Sequence, residues 1–177
     1  MMTSGARHSG HPLVAGEAAG TALVLEQPLS YAGGIERTSG RIEDIHSPHL
    51  GTSVTSRIVV MPIGRGSSSA SATFAEAIRL GTAPQAIVLP GIDQILAVGA
   101  IVARTLYGRV CPVLVVSETD HQAIATGDRV TIWKDGSFDV VSQPPAPQSA
   151  SGAERRPGVG LRSTRAKSPE TPPGGRV

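Results

Sequence analysis

The stretch Arg57-Ile58-Val59-Val60-Met61-Pro62-Ile63-Gly64-Arg65-Gly66-Ser67-Ser68-Ser69-Ala70-Ser71 decides the fold. An apolar run over residues 57–62 stops at two glycines and a run of hydroxyls, and an amphipathic pattern begins directly after it. That order predicts a strand handing over to a helix. Gly64 and Gly66 lack a Cβ, so the backbone between them can turn sharply and a ligand can approach it closely. The first N–H groups of the following helix have no partner inside the helix and carry the positive end of its dipole, which suits a carboxylate, a phosphate or a developing alkoxide. Ser67 stands where such an anion would lie. A plain helix cap is the competing reading of the same serine.

Outward from this loop, short apolar runs alternate with Gly and Pro. Strands are expected over residues 20–26, 41–45, 57–62, 86–89, 112–116, 128–133 and 137–141, the last two joined through Lys134-Asp135-Gly136 as a hairpin. One helix is expected over residues 68–80, with Phe74 and Ile78 on its inner face and Gly81 ending it. Another is expected over 93–106, with Asp93 as its cap and Ile95, Leu96, Gly99, Val102 and Ala103 as a small-residue packing face. Parallel strand-helix units embedded between antiparallel strands do not make a plain doubly wound fold. The order fits an α/β domain of β/β/α type, a barrel-like mixed sheet with about two helices on one side. Phe74 and Trp133 are assigned to the core.

Composition sets the limits. The chain has 177 residues and 40% hydrophobic content, enough for one domain with a proper core. Residues 143–177 are rich in Pro, Gly, Ser and Arg and have little to bury, so they read as a disordered basic tail. That tail carries six basic and two acidic residues, whereas the remainder is net negative, so the chain's basic balance belongs to the tail. Nothing in the folded part supports nucleic-acid binding. Residues 1–12 are expected to be flexible, placing His8 and His11 in a frayed end, and 13–142 form the domain. No stretch reaches the ~20 apolar residues of a membrane span, and the start lacks the apolar segment of a signal peptide, so a cytoplasmic protein is expected. A lone cysteine cannot build a zinc or iron–sulfur site, which takes about four ligands. Cys111, followed by Pro112 at the head of an apolar run, reads first as a core residue.

Several separated motifs occur in a fixed order: Gln27-Pro28-Leu29-Ser30-Tyr31-Ala32-Gly33-Gly34, Thr38-Ser39-Gly40-Arg41-Ile42, Gly64-Arg65-Gly66-Ser67-Ser68-Ser69, Ala83-Pro84-Gln85-Ala86-Ile87 and Gly99-Ala100-Ile101-Val102-Ala103. Together they resemble the small subunit, or swivel domain, of the aconitase X family over residues 15–141. The resemblance implies a fold like the mobile fourth domain of aconitase. It also implies a dehydratase made with a large subunit that holds iron or an iron–sulfur cluster, acting on cis-3-hydroxy-L-proline or on a phosphorylated mevalonate.

On that resemblance, Ser67 matches the family's first loop serine and would abstract the substrate proton, with iron in the partner as Lewis acid. The N–H groups of Ser68 and Ser69 would favour its alkoxide, with Arg65 and Gly66 beside the substrate. Ser30, Gly33 and Gly34 would line the opposite wall, or form an ordinary tight turn. Cys111 would be either a core residue or an iron ligand lent across the interface. Where the family's pattern has a His-Pro pair, this chain has Ser47-Pro48 flanked by His46 and His49, which read as solvated loop histidines or as groups facing the site. His121 has no motif around it.

Other classes are weaker. Gly66-Ser67-Ser68-Ser69-Ala70 only loosely matches a hydrolase elbow, without ordered His and Asp partners. A nucleotide-type phosphate loop would need Lys after the second glycine, and it is absent. A swivel module that binds a small acid without turning it over is the non-enzymatic alternative.

Overall fold

The computed structural model describes residues 7–64 and 66–143. Among these residues, ten strands and three helices follow in chain order: β1 (Arg7–Ser9), β2 (His11–Val14), β3 (Ala18–Val24), β4 (Ile35–Glu36), β5 (Arg41–Ile42), β6 (Arg57–Val60), α1 (Ser68–Leu80), β7 (Ala86–Leu89), α2 (Gln94–Tyr107), β8 (Val113–Val115), α3 (Glu118–Ala123), β9 (Arg129–Ile132) and β10 (Ser137–Val141).

Eight strands form one mixed sheet in the order β1-β10-β9-β3-β6-β7-β8-β2, with β4 and β5 as a separate ladder. The central β3, β6, β7 and β8 run parallel, while β9, β10 and β1 on one flank and β2 on the other pair antiparallel to their neighbours. The two outermost strands, β1 and β2, are consecutive in the chain with Gly10 alone between them, so the sheet curls until a single residue joins its edges. This is the barrel-like sheet expected, and the covalent link at Gly10 brings its two edges together. Gly10 is pinned there by its N–H donating to the Gly136 carbonyl at 2.9 Å. Gly136 itself has φ +86, and a Cβ on it would lie 2.6 Å from the Gly10 carbonyl oxygen, so the Asp-Gly turn of the β9–β10 hairpin requires glycine twice over.

Both faces of the central strands are buried, which is why they read as unbroken apolar runs. Val59, Met61, Ile87 and Leu89 pack under the helices with Phe74, Ala77, Leu96 and Ala103. Ile58, Val60, Ala86, Val88 and Leu114 face inward and pack with Val130, Ile132 and Phe138. Helices α1 and α2 lie close because Gly99 leaves room for them: a Cβ there would meet the Ser71 carbonyl oxygen at 2.6 Å and Phe74 at 3.1 Å. The Ser71 hydroxyl donates to the Ile95 carbonyl at 2.8 Å across the same seam.

Helix α1 and strands β7 and β10 fall on the bounds expected, and Asp93 is the N-cap of α2. Corrections concern short or edge elements. Residues 7–12, expected to be flexible, belong to the edge strands: His8 pairs opposite Phe138 and stacks on its ring at 5.1 Å, and His11 pairs with Val115. The strand expected over 41–45 stops at Ile42, where the chain turns. The six-residue α3 was not foreseen, being too short to show a helical period. Trp133 is only half-buried, with the Arg7 guanidinium 4.4 Å over its ring. The tail expected over residues 143–177 lies, from residue 144 onward, outside the described residues. Among the described residues, no helix is long and apolar enough to cross a membrane.

Candidate functional site

All four parallel strands end on the same side of the sheet, the side on which ligands bind in α/β sheets. Four connections meet at that edge: residues 25–34 after β3, 61–67 after β6, 90–93 after β7 and 116–117 after β8.

The loop over residues 61–67 is held at several points. The Met61 N–H donates to the Val88 carbonyl at 3.2 Å. The Met61 carbonyl accepts from Nε2 of His121 on α3 at 3.0 Å, a bond that fixes the proton on that nitrogen because a carbonyl can only accept. The Gly64 N–H donates to Oδ2 of Asp93 at 3.0 Å. Gly66 lies in a gap that a side chain would close: its Cβ would sit 3.0 Å from Ala70 Cβ and 3.7 Å from Ser30 Oγ.

Ser67 takes extended dihedrals, φ −97 and ψ 175, as the N-cap residue of α1. Its backbone carbonyl accepts from the Ala70 N–H at 2.9 Å, but its hydroxyl makes no capping hydrogen bond. The hydroxyl instead hydrogen-bonds the Ser69 hydroxyl at 2.6 Å, and both residues are exposed. The cap reading therefore fails for the side chain. Oγ of Ser67 is open to solvent at a helix start, with one hydroxyl partner able to donate to it. Ser68 and Ser69, treated alike from the sequence, differ here, because only the Ser69 side chain touches Ser67.

Ser30 joins this group through Gly66, and its hydroxyl also caps its own turn at Ala32, 3.2 Å from both the N–H and the carbonyl oxygen. Gly33 and Gly34 belong to that turn. Gly33 is exposed with φ +81, and Gly34 is buried because a Cβ there would stand 2.4 Å from the Ser30 carbonyl oxygen. Arg65 lies outside the described residues. Of the two loop histidines, His46 is exposed, whereas Nε2 of His49 is 2.8 Å from Oε2 of Glu26, in the connection after β3 on the same edge. Its hydrogen bond to His49 holds the Glu26 carboxyl below the usual range.

Cys111 stands apart. It is 1% exposed, and its thiol donates to the Pro84 carbonyl at 3.3 Å. Pro84 follows the C-terminal end of α1, and a 13-residue helix is about 20 Å long, so Cys111 and Ser67 lie at opposite ends of the domain. A metal ligand must be a reachable thiolate. Burial pushes this thiol up to about 12, as suits a residue of the core. Two results are expected. At pH 8 the folded chain leaves a thiol-specific reagent unreacted, and it reacts fully in denaturant. The unfolded thiol ionises near ~8.5 and the folded one only near 12, so folding stability declines as pH rises through that window. Rapid labelling of the native chain would contradict the burial.

Among the described residues no three His, Cys, Asp or Glu side chains converge to hold a metal ion. The residues at hand therefore do not fit an iron site of their own.

Sequence reading missed Asp93 as a bridge, His121 and the His49–Glu26 pair. Asp93 was visible as a cap, but its second bond crosses 29 residues, and the His121 bond crosses 60.

Residues 7–140 match the family described as the aconitase X swivel domain. The chain belongs to that family. A cis-3-hydroxy-L-proline dehydratase of Pseudomonas aeruginosa is 38% identical over 143 residues, covering 80% of this chain but 24% of that protein. This swivel-domain chain thus spans about a quarter of that relative's length. A phosphomevalonate dehydratase small subunit of Thermococcus gammatolerans is 32% identical over 133 residues, covering 75% of this chain and 95% of that one. A solved aconitase X from Thermococcus kodakaraensis, in its holo-form, superposes with a TM-score of 0.69 at 28% identity, covering 78% of this chain and all of that chain.

Proposed function

We propose that this chain is the swivel subunit of a two-chain hydro-lyase that dehydrates a small hydroxy acid, with Ser67 as the proton-abstracting base. The observation that carries the reading is the Ser67 hydroxyl, exposed at the ligand-binding edge, released from capping and hydrogen-bonded to Ser69.

A serine hydroxyl is a weak base, so its alkoxide needs stabilisation. The Ser69 hydroxyl donates to it, and the dipole of α1 adds a favourable field. Ser67 Oγ then takes the α-proton of the substrate. The electron pair left on carbon forms the new double bond as the hydroxyl departs from the adjacent carbon, and proton and hydroxyl together make the water released. Gly66 lets the substrate lie against the backbone, and Arg65 supplies a charge for its carboxylate. Iron or an iron–sulfur cluster belongs to the large subunit, since the residues here do not fit one.

Four large apolar residues are exposed around this edge: Ile63 and Ile92 in the loops after β6 and β7, and Ile45 and Leu50 in the segment that carries His49. They support docking of the large subunit over Ser67, which closes the site against water.

The preferred substrate is cis-3-hydroxy-L-proline, whose dehydration gives the Cα=Cβ enamine that tautomerises, by moving the N–H proton to Cβ, to 1-pyrroline-2-carboxylate, in line with the 38% identity of the Pseudomonas relative. A phosphomevalonate substrate is the second reading, favoured by the match of this chain to the full length of separate small subunits. Turnover by the reconstituted complex of one substrate and not the other decides between them. Turnover of neither would favour a module that binds without catalysis.

Deletion of residues 144–177 is expected to leave the activity of the complex near that of the full chain and stability within about 0.5 kcal/mol, because the tail carries no apolar period. A tenfold loss upon truncation would show that the tail reaches the partner or the substrate.

A further inference from the structure

Two charged residues are buried among the described residues, Asp93 and Asp128. Asp128 uses its carboxylate within its own turn, accepting from the Ala125 N–H at 2.9 Å. Asp93 is different. At 6% exposure it lies below the site loop, and its two oxygens serve separate elements. Oδ1 accepts from the Leu96 N–H at 3.0 Å and caps α2, while Oδ2 accepts from the Gly64 N–H at 3.0 Å in the loop that carries Ser67. The fit is close, since a Cβ on Gly64 would sit 2.6 Å from that same Oδ2.

We propose that Asp93 is a positioning residue for proton abstraction, its carboxylate fixing the Ser67 loop to the start of α2 at Gly64. The proposal rests on the reading of Ser67 as the base. Capping alone uses one acceptor, which serine or asparagine supplies as well as aspartate. The second oxygen has no part in the cap. It sets where the chain stands three residues before Ser67, while His121 holds the Met61 carbonyl at the beginning of the same loop. α2 is packed against α1 at Gly99, so the loop is referred to both helices at once. A displacement of about 1 Å in a reacting group can cost on the order of 10²-fold in rate, so a bond that fixes the loop without touching substrate acts on turnover.

The test uses Asp93→Asn and Asp93→Ser in the complex with the large subunit, with amide exchange measured on the full chain. In Asp93→Asn one oxygen still caps Leu96, and the amide presents N–H toward the Gly64 N–H, so no acceptor remains there. Asp93→Ser keeps only a capping oxygen. The expected result is a kcat lowered roughly 10- to 100-fold with KM within about threefold, because the loop is displaced while the substrate is still bound. The Gly64 amide exchanges at least about tenfold faster and the Leu96 amide stays protected. Should asparagine turn its oxygen to Gly64 instead, Leu96 loses protection and the serine variant decides. Gly64→Ala presses on the same contact from the loop side, and its effect on kcat should be non-additive with that of Asp93→Asn. Full kcat in a variant whose Gly64 amide has been freed overturns the proposal. So does loss of kcat only together with the Leu96 protection and thermal stability, which is the result of a cap alone. Failure of the Ser67 reading shows separately, as turnover by the Ser67→Ala complex, and leaves the exchange results standing.

Discussion

Ser67→Ala is expected to lower kcat of the two-chain complex by roughly two to four orders of magnitude, with KM little changed. On the proposed reading Ser67 Oγ takes the substrate proton, and alanine leaves no group to take it. Stability should hold within about 0.5 kcal/mol, because the side chain makes no capping bond that could be lost. A cap would instead cost about 1 kcal/mol and spare turnover, so kinetics and thermal melting together separate the two roles. Ser69→Ala removes the hydroxyl 2.6 Å from Ser67 and should lower kcat by up to about 10²-fold, as loss of a donor to a developing anion does. Ser68→Ala is the control and should stay near wild type. Normal turnover in the Ser67→Ala complex would leave this chain as a lid over chemistry done by the other subunit.

The isolated chain is expected to bind no stoichiometric iron and to dehydrate nothing, even under anaerobic, iron-replete conditions, while regaining full activity when its large subunit is added. Among its described residues no ligand cluster exists, and its one cysteine is buried about 20 Å from Ser67 by the length of α1. The chain also spans about a quarter of the length of the Pseudomonas dehydratase it resembles. Iron analysis and a substrate assay on the separated subunits test this directly. Turnover by the isolated chain would mean that Ser67 works with groups of this domain alone. Charge placed at the apolar rim, as in Ile63→Asp with Ile92→Asp, should weaken assembly without unfolding the chain, because both side chains face solvent. Co-elution of the two chains reports it.

Much of this architecture was legible because local chemistry and tertiary demand agree. The Gly64-to-Ser71 stretch reads as a strand-to-helix loop, and it is one. Gly81 ends α1 in left-handed conformation, and Asp135-Gly136 makes the hairpin turn. Runs such as Ala86–Leu89 are apolar throughout because both faces are covered. Edge strands β1 and β2 were not legible. His8 and His11 carry no strand signal of their own and are ordered by partners more than 100 residues away, Phe138 and Val115.

The sequence by itself determined the order of the central strands and the two long helices, the loop that bears Ser67 and the family, since each rests on residues near one another in the chain. Only the tertiary structure decided which groups meet that loop. It set Asp93 on Gly64, His121 on Met61 and Ser30 beside Gly66, and it moved Cys111 to the far end of α1. The physical reason is that hydrogen bonds at the carboxyl edge join loops that follow different parallel strands, and parallel strands are brought side by side by crossovers whose length hides every such contact from local pattern.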